Sequence, residues 1–250
     1  TVVLIVLSLL LPAVVWFVVW RRTKARIVNL LIGAAVFFVC FVIALATSTL
    51  ASLFITSPVI LTLVLSLRAG IVEEFGRFIA FKFFLKKSEN TGDAVMYGVG
   101  HGGIEVYLVF TLAMLSQLLV FLMANEGAFE AVYATAPEQM TVITEGLRAL
   151  TESSPWAAGV GLVERVIAMT VHIACSVIVF CAARQRKWLY LVLAIALHAG
   201  INSLAAPYAA GTVSIELTEA FLAAGALVAA FIAWKVAGGY TKWRAAEVGR

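Results

Sequence analysis

Apolar residues run along this chain in long unbroken blocks rather than in alternation. Seven blocks stand out, at about 2–20, 27–50, 58–85, 93–124, 156–183, 188–207 and 212–237. A hydrocarbon core about 30 Å thick takes roughly 20 helical residues to cross, so each block is long enough for one transmembrane helix. Barrel strands would show alternating apolar and polar positions, which these blocks lack. The expected fold is all-α: a polytopic membrane bundle of seven helices, with residues 1–250 forming a single transmembrane domain. Several starts carry helix N-terminal chemistry. Ser57-Pro58 and Ser154-Pro155 each set a capping hydroxyl before a first-turn proline. Asp93, after Thr91-Gly92, can cap the fourth helix.

Composition agrees with the pattern. The chain is 63% hydrophobic and 13% charged, with mean hydropathy +1.03, whereas soluble domains hold about half apolar and a quarter charged residues. The three cysteines, Cys40, Cys175 and Cys181, all fall in apolar blocks and read as small packing residues without a disulfide framework. The first block is followed by RRTKAR and has no cleavage-like site before it, so it reads as a span rather than a signal peptide. No internal repeat or low-complexity tract stands out.

Charge sets the expected orientation. With the N-terminus outside and the C-terminus in the cytoplasm, the inner segments hold Arg21, Arg22, Lys24, Arg26, Lys82, Lys86, Lys87, Arg184, Arg186, Lys187, Lys235, Lys242, Arg244 and Arg250. The outer loops hold Arg148 and seven acids, Glu126, Glu130, Glu138, Glu145, Glu152, Glu216 and Glu219. The net charge of +4 therefore speaks for anionic lipid rather than nucleic acid. The long outer loop, 125–155, contains Met140, Ile143, Leu147 and Leu150 at helical spacing. That spacing predicts a short amphipathic helix on the outer surface, with a substrate lid as the alternative.

Against this background, ten polar residues sit where oil is expected. Glu73, Glu74, Glu105 and Glu164 fall inside spans, as do Arg68, Arg77 and Arg165 and all three histidines, His101, His172 and His198. Charge at the bilayer centre costs several kcal/mol, so such groups must face the bundle interior and find partners. Counted from the cytoplasmic ends at 1.5 Å per residue, Glu74, His101, Glu105, His172 and His198 all lie about 12–18 Å deep. Four helices thus bring carboxylates and imidazoles to one level.

Spacing adds direction. His101 and Glu105 are four residues apart, as are His198 and Asn202 and also Glu73 and Arg77, so each pair shares a helix face. The last spacing predicts an ion pair between Glu73 and Arg77. Gly100, Gly102, Gly103 and Gly200 flank the histidines and would let helices approach closely or leave room for substrate. Nearer the outer side, Arg68 and Glu164 are expected to pair between helices, with Arg165 beside them. A lone intramembrane histidine is more often a packed core residue. Three at one depth with three glutamates argue for a site. Tyr97, Tyr107 and the phenylalanines of spans 3 and 4 read as packing or lipid-facing.

A glutamate in a low-dielectric site is a credible general base for water. Imidazoles plus a carboxylate make a plausible divalent-metal site, with zinc the default and His101, His172 and His198 the candidate ligands. Asn202 could donate to a developing oxyanion or serve as interhelical glue. No HExxH motif is present.

EEFGR, GHGGIE, the Glu164-Arg165 pair eight residues before His172, and HAGIN resemble the YhfC-type intramembrane metalloprotease family. The resemblance runs from about 66 to 207. It places the chain near the wider group of type II CAAX prenyl proteases and bacteriocin-processing membrane enzymes. That group carries paired glutamates ending in Arg, an FxxxH and an HxxxN. Glu73 and Glu74 match the glutamates, Arg77 comes one residue early, Ala168 stands where Phe is expected before His172, and His198 and Asn202 match HxxxN. The resemblance implies that a first-motif glutamate activates water and that the histidines and asparagine hold a metal or an oxyanion. His101 and Glu105 belong to the YhfC-like pattern. The chain is also similar to Aph-1, the non-catalytic scaffold subunit of gamma-secretase, through the EFGRFIAFKFFLKK-like stretch and the histidines of spans 5 and 6. Aph-1 lacks counterparts of His101 and Glu105.

The expectation is an intramembrane protease of a prokaryotic plasma membrane. Glu74 or Glu73 is its base, and the substrate is a membrane-embedded or lipidated peptide cut near the cytoplasmic half of the bilayer. A scaffold for membrane protein partners is the alternative. A proton-relay transporter is a third reading, weakened by the lack of broken-helix repeats.

Overall fold

The computed structural model describes residues 1–125, 134, 144 and 155–248. The surface helix expected within loop 125–155, with its acids and Arg148, lies outside the described residues, as does the Ser154 cap. Nine helices are described: α1 (Val2–Thr23), α2 (Ile27–Phe54), α3 (Pro58–Ile79), α4 (Thr91–Glu105), α5 (Leu112–Asn125), α6 (Pro155–Gln185), α7 (Trp188–Ser203), α8 (Ala206–Ala209) and α9 (Ile215–Val248). No strand occurs among the described residues. A π-turn over Ala80–Phe84 extends α3, and another over Val106–Thr111 joins α4 to α5.

Among the described residues, six helical stretches are long and apolar enough to cross a membrane: Val2–Thr23, Ile27–Phe54, Thr91–Met123, Trp156–Gln185, Trp188–Ala209 and Ile215–Glu247. The remaining expected span, α3, has the length, but it carries Arg68, Glu73, Glu74 and Arg77 within one stretch. Composition alone does not qualify it.

α4 occupies the middle of the bundle, against α1, α2 and α6, while α3 lies between α2 and α7 and α9 rests on α6. The approach of α4 to α2 is backbone on backbone. A Cβ at Gly100 would sit 2.0 Å from the Leu30 carbonyl oxygen, and one at Gly33 2.2 Å from that of Tyr97. Gly200 has open space around it. Tyr97, Phe81, Ile178 and Phe180 form the core below the site, with Cys175 and Cys181 fully buried among them as free thiols.

Three local expectations change. Asp93 does not cap its own helix. Asn90 does so by accepting from the Asp93 N–H at 2.9 Å. Asp93 Oδ1 instead accepts from Arg26 N–H and Asn29 Nδ2 at the start of α2, where orphan amides are available. α7 stops at Ser203, and Pro207, which cannot continue a helix interior, sits in the first turn of α8. α9 runs well past 237, because Tyr240 is buried against Phe180 and donates to the Glu89 carbonyl at 2.8 Å.

Candidate active site

α3, α4, α6 and α7 bring Glu73, Glu74, Arg77, His101, Glu105, His172 and His198 into one cluster. The imidazoles of His101 and His172 lie 4.8 Å apart between ring centroids, and those of His172 and His198 5.3 Å apart. Phe37 of α2 meets both His101 and His172 edge-on, at 5.0 and 6.3 Å. Sequence reasoning missed Phe37, since nothing marks it among the apolar positions of its helix.

The two adjacent glutamates have separate environments. Neighbouring helical residues point about 100° apart, and here that divides them between a dry and an open side. Glu74 is fully buried with Arg77. Arg77 Nη1 donates to both Glu74 oxygens at 2.9 Å. The expected Glu73–Arg77 pair therefore gives way to Glu74–Arg77, three residues apart. Glu73 turns to the imidazoles, with Oε2 3.0 Å from His101 Nε2, 3.8 Å from His172 Nδ1 and 3.9 Å from His198 Nε2. Its Oε1 makes no hydrogen bond among the described residues.

The hydrogen-bond partners fix which ring nitrogens carry protons. A guanidinium only donates. Arg77 Nη2, 3.2 Å from His172 Nδ1, thus makes that nitrogen the acceptor. A neutral His172 then carries its proton on Nε2, which lies 2.5 Å from Glu105 Oε2. At His198 the order is reversed. Nδ1 is 2.7 Å from Glu74 Oε1, and a carboxylate accepts, so Nδ1 carries the proton. Its Nε2 lone pair is left on the Glu73 side. Glu74 thus orients the His198 imidazole from beneath, in the manner of a group that sets the tautomer of a metal-ligating histidine, whereas Arg77 donates into the same His172 nitrogen, Nδ1, that faces Glu73.

Beyond His172, Arg165 Nη1 donates to Glu105 Oε1 at 2.7 Å, and its Nη2 donates to Glu164. The expected Arg68–Glu164 pair does not form. Arg68 Nη1 instead donates at 2.8 Å to the Ala44 carbonyl and to the Thr47 and Ser48 hydroxyls of α2, while Glu164 is taken by its own neighbour.

A cavity of about 210 Å³ reaches this cluster. It is lined by Glu73, His172, His198, Glu105, Glu164, Arg165 and Asn202, and by Ile167, Ala168, Val171, Ile201, Ala205 and Leu222. Glu74 and His101 are not on its wall. The Asn202 side chain lines it and makes no hydrogen bond among the described residues.

One ligating atom each from Glu73, His172 and His198 lies within 4.8 Å of the other two. A tetrahedral ion with ligand bonds of about 2.0–2.2 Å sets its ligands roughly 3.3–3.5 Å apart. The 3.8 and 3.9 Å approaches of Glu73 to the two imidazoles need closing by a few tenths of an ångström, and the widest separation in the group, up to 4.8 Å, by about 1 Å more. A carboxylate with two imidazoles is a known catalytic donor set, so the residue types fit a divalent metal, which would take the place of Arg77 Nη2 at the His172 Nδ1 lone pair. The set differs from the expected His101, His172 and His198. His101 is spent on Glu73, and its Nδ1 is buried without a partner.

Comparison with known proteins gives two matches. The YhfC intramembrane metalloprotease family matches residues 7–223. The uncharacterised membrane protein YhfC of Bacillus subtilis strain 168 is 31% identical over 233 residues, which is 87% of this chain and 89% of that protein. No solved structure matches.

Proposed function

The chain belongs to the YhfC intramembrane metalloprotease family, and on that footing we propose that it hydrolyses a peptide bond inside the membrane with Glu73 as general base. The observation that carries the choice is the cavity wall. Glu73 is on it, whereas Glu74 is sealed below with Arg77. A non-catalytic scaffold has no use for an open polar cavity at this depth, which weighs against the Aph-1-like alternative.

In this reading Glu73, His172 and His198 hold a divalent metal, zinc by default. When bound, the ion supplies positive charge that acidifies water and polarises the scissile carbonyl. The protein's own groups do the rest. Glu73 Oε1 takes a proton from water as the water oxygen bonds to the carbonyl carbon, while His101 keeps Oε2 in place by donating to it. Asn202, whose amide is uncommitted, donates to the oxyanion that forms. As the C–N bond breaks, Glu73 returns its proton to the leaving amine. Glu105 and Arg165 hold His172 from the far side.

Ile167, Ala168, Val171, Ile201, Ala205 and Leu222 give the cavity an apolar wall beside the polar one. This suits a membrane-embedded or lipidated peptide. Ala168 leaves space where the wider group of type II CAAX prenyl proteases carries Phe. We further propose that α3 with its π-turn is the seventh span. At 1.5 Å per residue, Pro58–Phe84 is about 40 Å long, and Arg68, Glu73, Glu74 and Arg77 all have polar partners that offset their placement in lipid. The N-terminus then lies outside and the C-terminus in the cytoplasm of a prokaryotic cell.

The test is a comparison of membrane peptides in cells carrying the wild type or Glu73→Gln. At least one uncut membrane protein should accumulate with the variant and vanish on re-expression of the wild type. Identical profiles at equal protein levels would remove the protease reading.

A further inference from the structure

At the opposite end of the bundle, a second cavity of about 560 Å³ opens between the end of α3 and the α6–α7 turn. It is lined by Phe78, Lys82, Ala182, Ala183, Arg186 and Trp188. Two of the six are cations and none is an acid.

Neighbouring cations on the same turn are committed elsewhere. Arg184 donates to the carbonyls of Ser88, Phe81 and Leu85. Arg186 makes no hydrogen bond or ion pair among the described residues. It also adopts φ 57° at the end of α6, a left-handed position that favours glycine. Lys82 Nζ lies over the rings of Phe78 and Phe83, at 5.3 and 5.5 Å. The surroundings are apolar and aromatic: Trp188 on the wall and Phe83 beside Lys82 are exposed, as are Phe84 and Leu189, their neighbours in sequence. Tryptophan in such a place marks the boundary between headgroups and acyl chains.

We propose that this cavity binds the phosphate of an anionic phospholipid, with Lys82 and Arg186 as its two cationic contacts and Phe83, Phe84 and Trp188 against the acyl chains. Two unneutralised charges call for an anion, and basic pockets between membrane helices suit phosphate headgroups. The apolar surroundings select a phosphate that carries a lipid tail over a free one. The site rests on the bundle being embedded in a membrane and is independent of the peptidase chemistry.

The experiment is native mass spectrometry of the full chain in detergent, titrated with phosphatidylglycerol or phosphatidylcholine, with and without inorganic phosphate. Wild-type protein should retain phosphatidylglycerol preferentially. K82Q/R186Q should lose roughly tenfold or more in affinity for it. K86Q/K87Q removes the same charge from the same end outside the cavity and should stay within about twofold. R186G relieves the left-handed backbone, so it should fold at least as well as the wild type and still bind the lipid more weakly. Equal losses in the two double variants would show a diffuse field rather than a site. Equal retention of phosphatidylcholine, or displacement by millimolar inorganic phosphate, would overturn the lipid assignment.

Discussion

Replacing Glu74 separates stability from chemistry more sharply than any other change at this site. Its carboxylate and the Arg77 guanidinium are both fully buried, 2.9 Å apart. Glu74→Gln keeps the shape but leaves Arg77 without its counter-charge, and removing one partner of a buried ion pair costs about 3–5 kcal/mol. The hydrogen bond from His198 Nδ1 also weakens, adding about 1 kcal/mol. Glu73 borders the cavity, so Glu73→Gln should cost under about 1 kcal/mol while abolishing turnover. The assay is reversible unfolding in mixed micelles together with peptide cleavage. A double-mutant cycle with Arg77→Met isolates the pair. The Glu74→Gln/Arg77→Met protein should recover at least about 2 kcal/mol relative to the sum of the single changes. The reasoning fails if Glu74→Gln is as stable as the wild type, or if Glu73→Gln is the less stable of the two.

Other consequences follow from the same contacts. Gly100→Ala drives a Cβ to 2.0 Å from the Leu30 carbonyl and should lower stability by about 1–3 kcal/mol, whereas Gly200→Ala, in open space, should raise it by about 0.5–1 kcal/mol. Paired melting curves decide this. Asn202→Ala should reduce kcat about 10²- to 10³-fold with little change in KM, and an unchanged kcat would remove the oxyanion role. Arg68→Met should leave turnover intact and loosen α3 from α2, read as faster amide exchange at Ala44–Ser48.

The bundle was legible because uninterrupted apolar blocks of membrane length leave few alternatives, and because buried Glu and His at one depth must find each other. The choice between Glu73 and Glu74 was not legible. It depends on how far α3 is rotated, which is set by Gly70 meeting the backbone and Ala199 side chain of α7, and spacing within one helix does not reveal it. Arg68 misled for a related reason. A carboxylate looks like its natural partner, yet two hydroxyls and a carbonyl of the adjacent α2 are nearer. Asp93 reads as a cap for the helix that contains it, and only the fold shows that the start of α2 lies beside it. Equal depth also says nothing of where a ring nitrogen points: His101 lies as near His172 as His198 does, yet its Nε2 is turned to Glu73 and its Nδ1 is buried.

The most direct measurement is the metal content of the purified protein, compared across His172→Ala, His198→Ala and His101→Ala. One equivalent of divalent metal in the wild type and in His101→Ala, lost from both His172→Ala and His198→Ala, is the expected result. A wild-type protein that binds none when loaded, or one that keeps its metal without His172 and His198, would contradict a centre built from Glu73, His172 and His198.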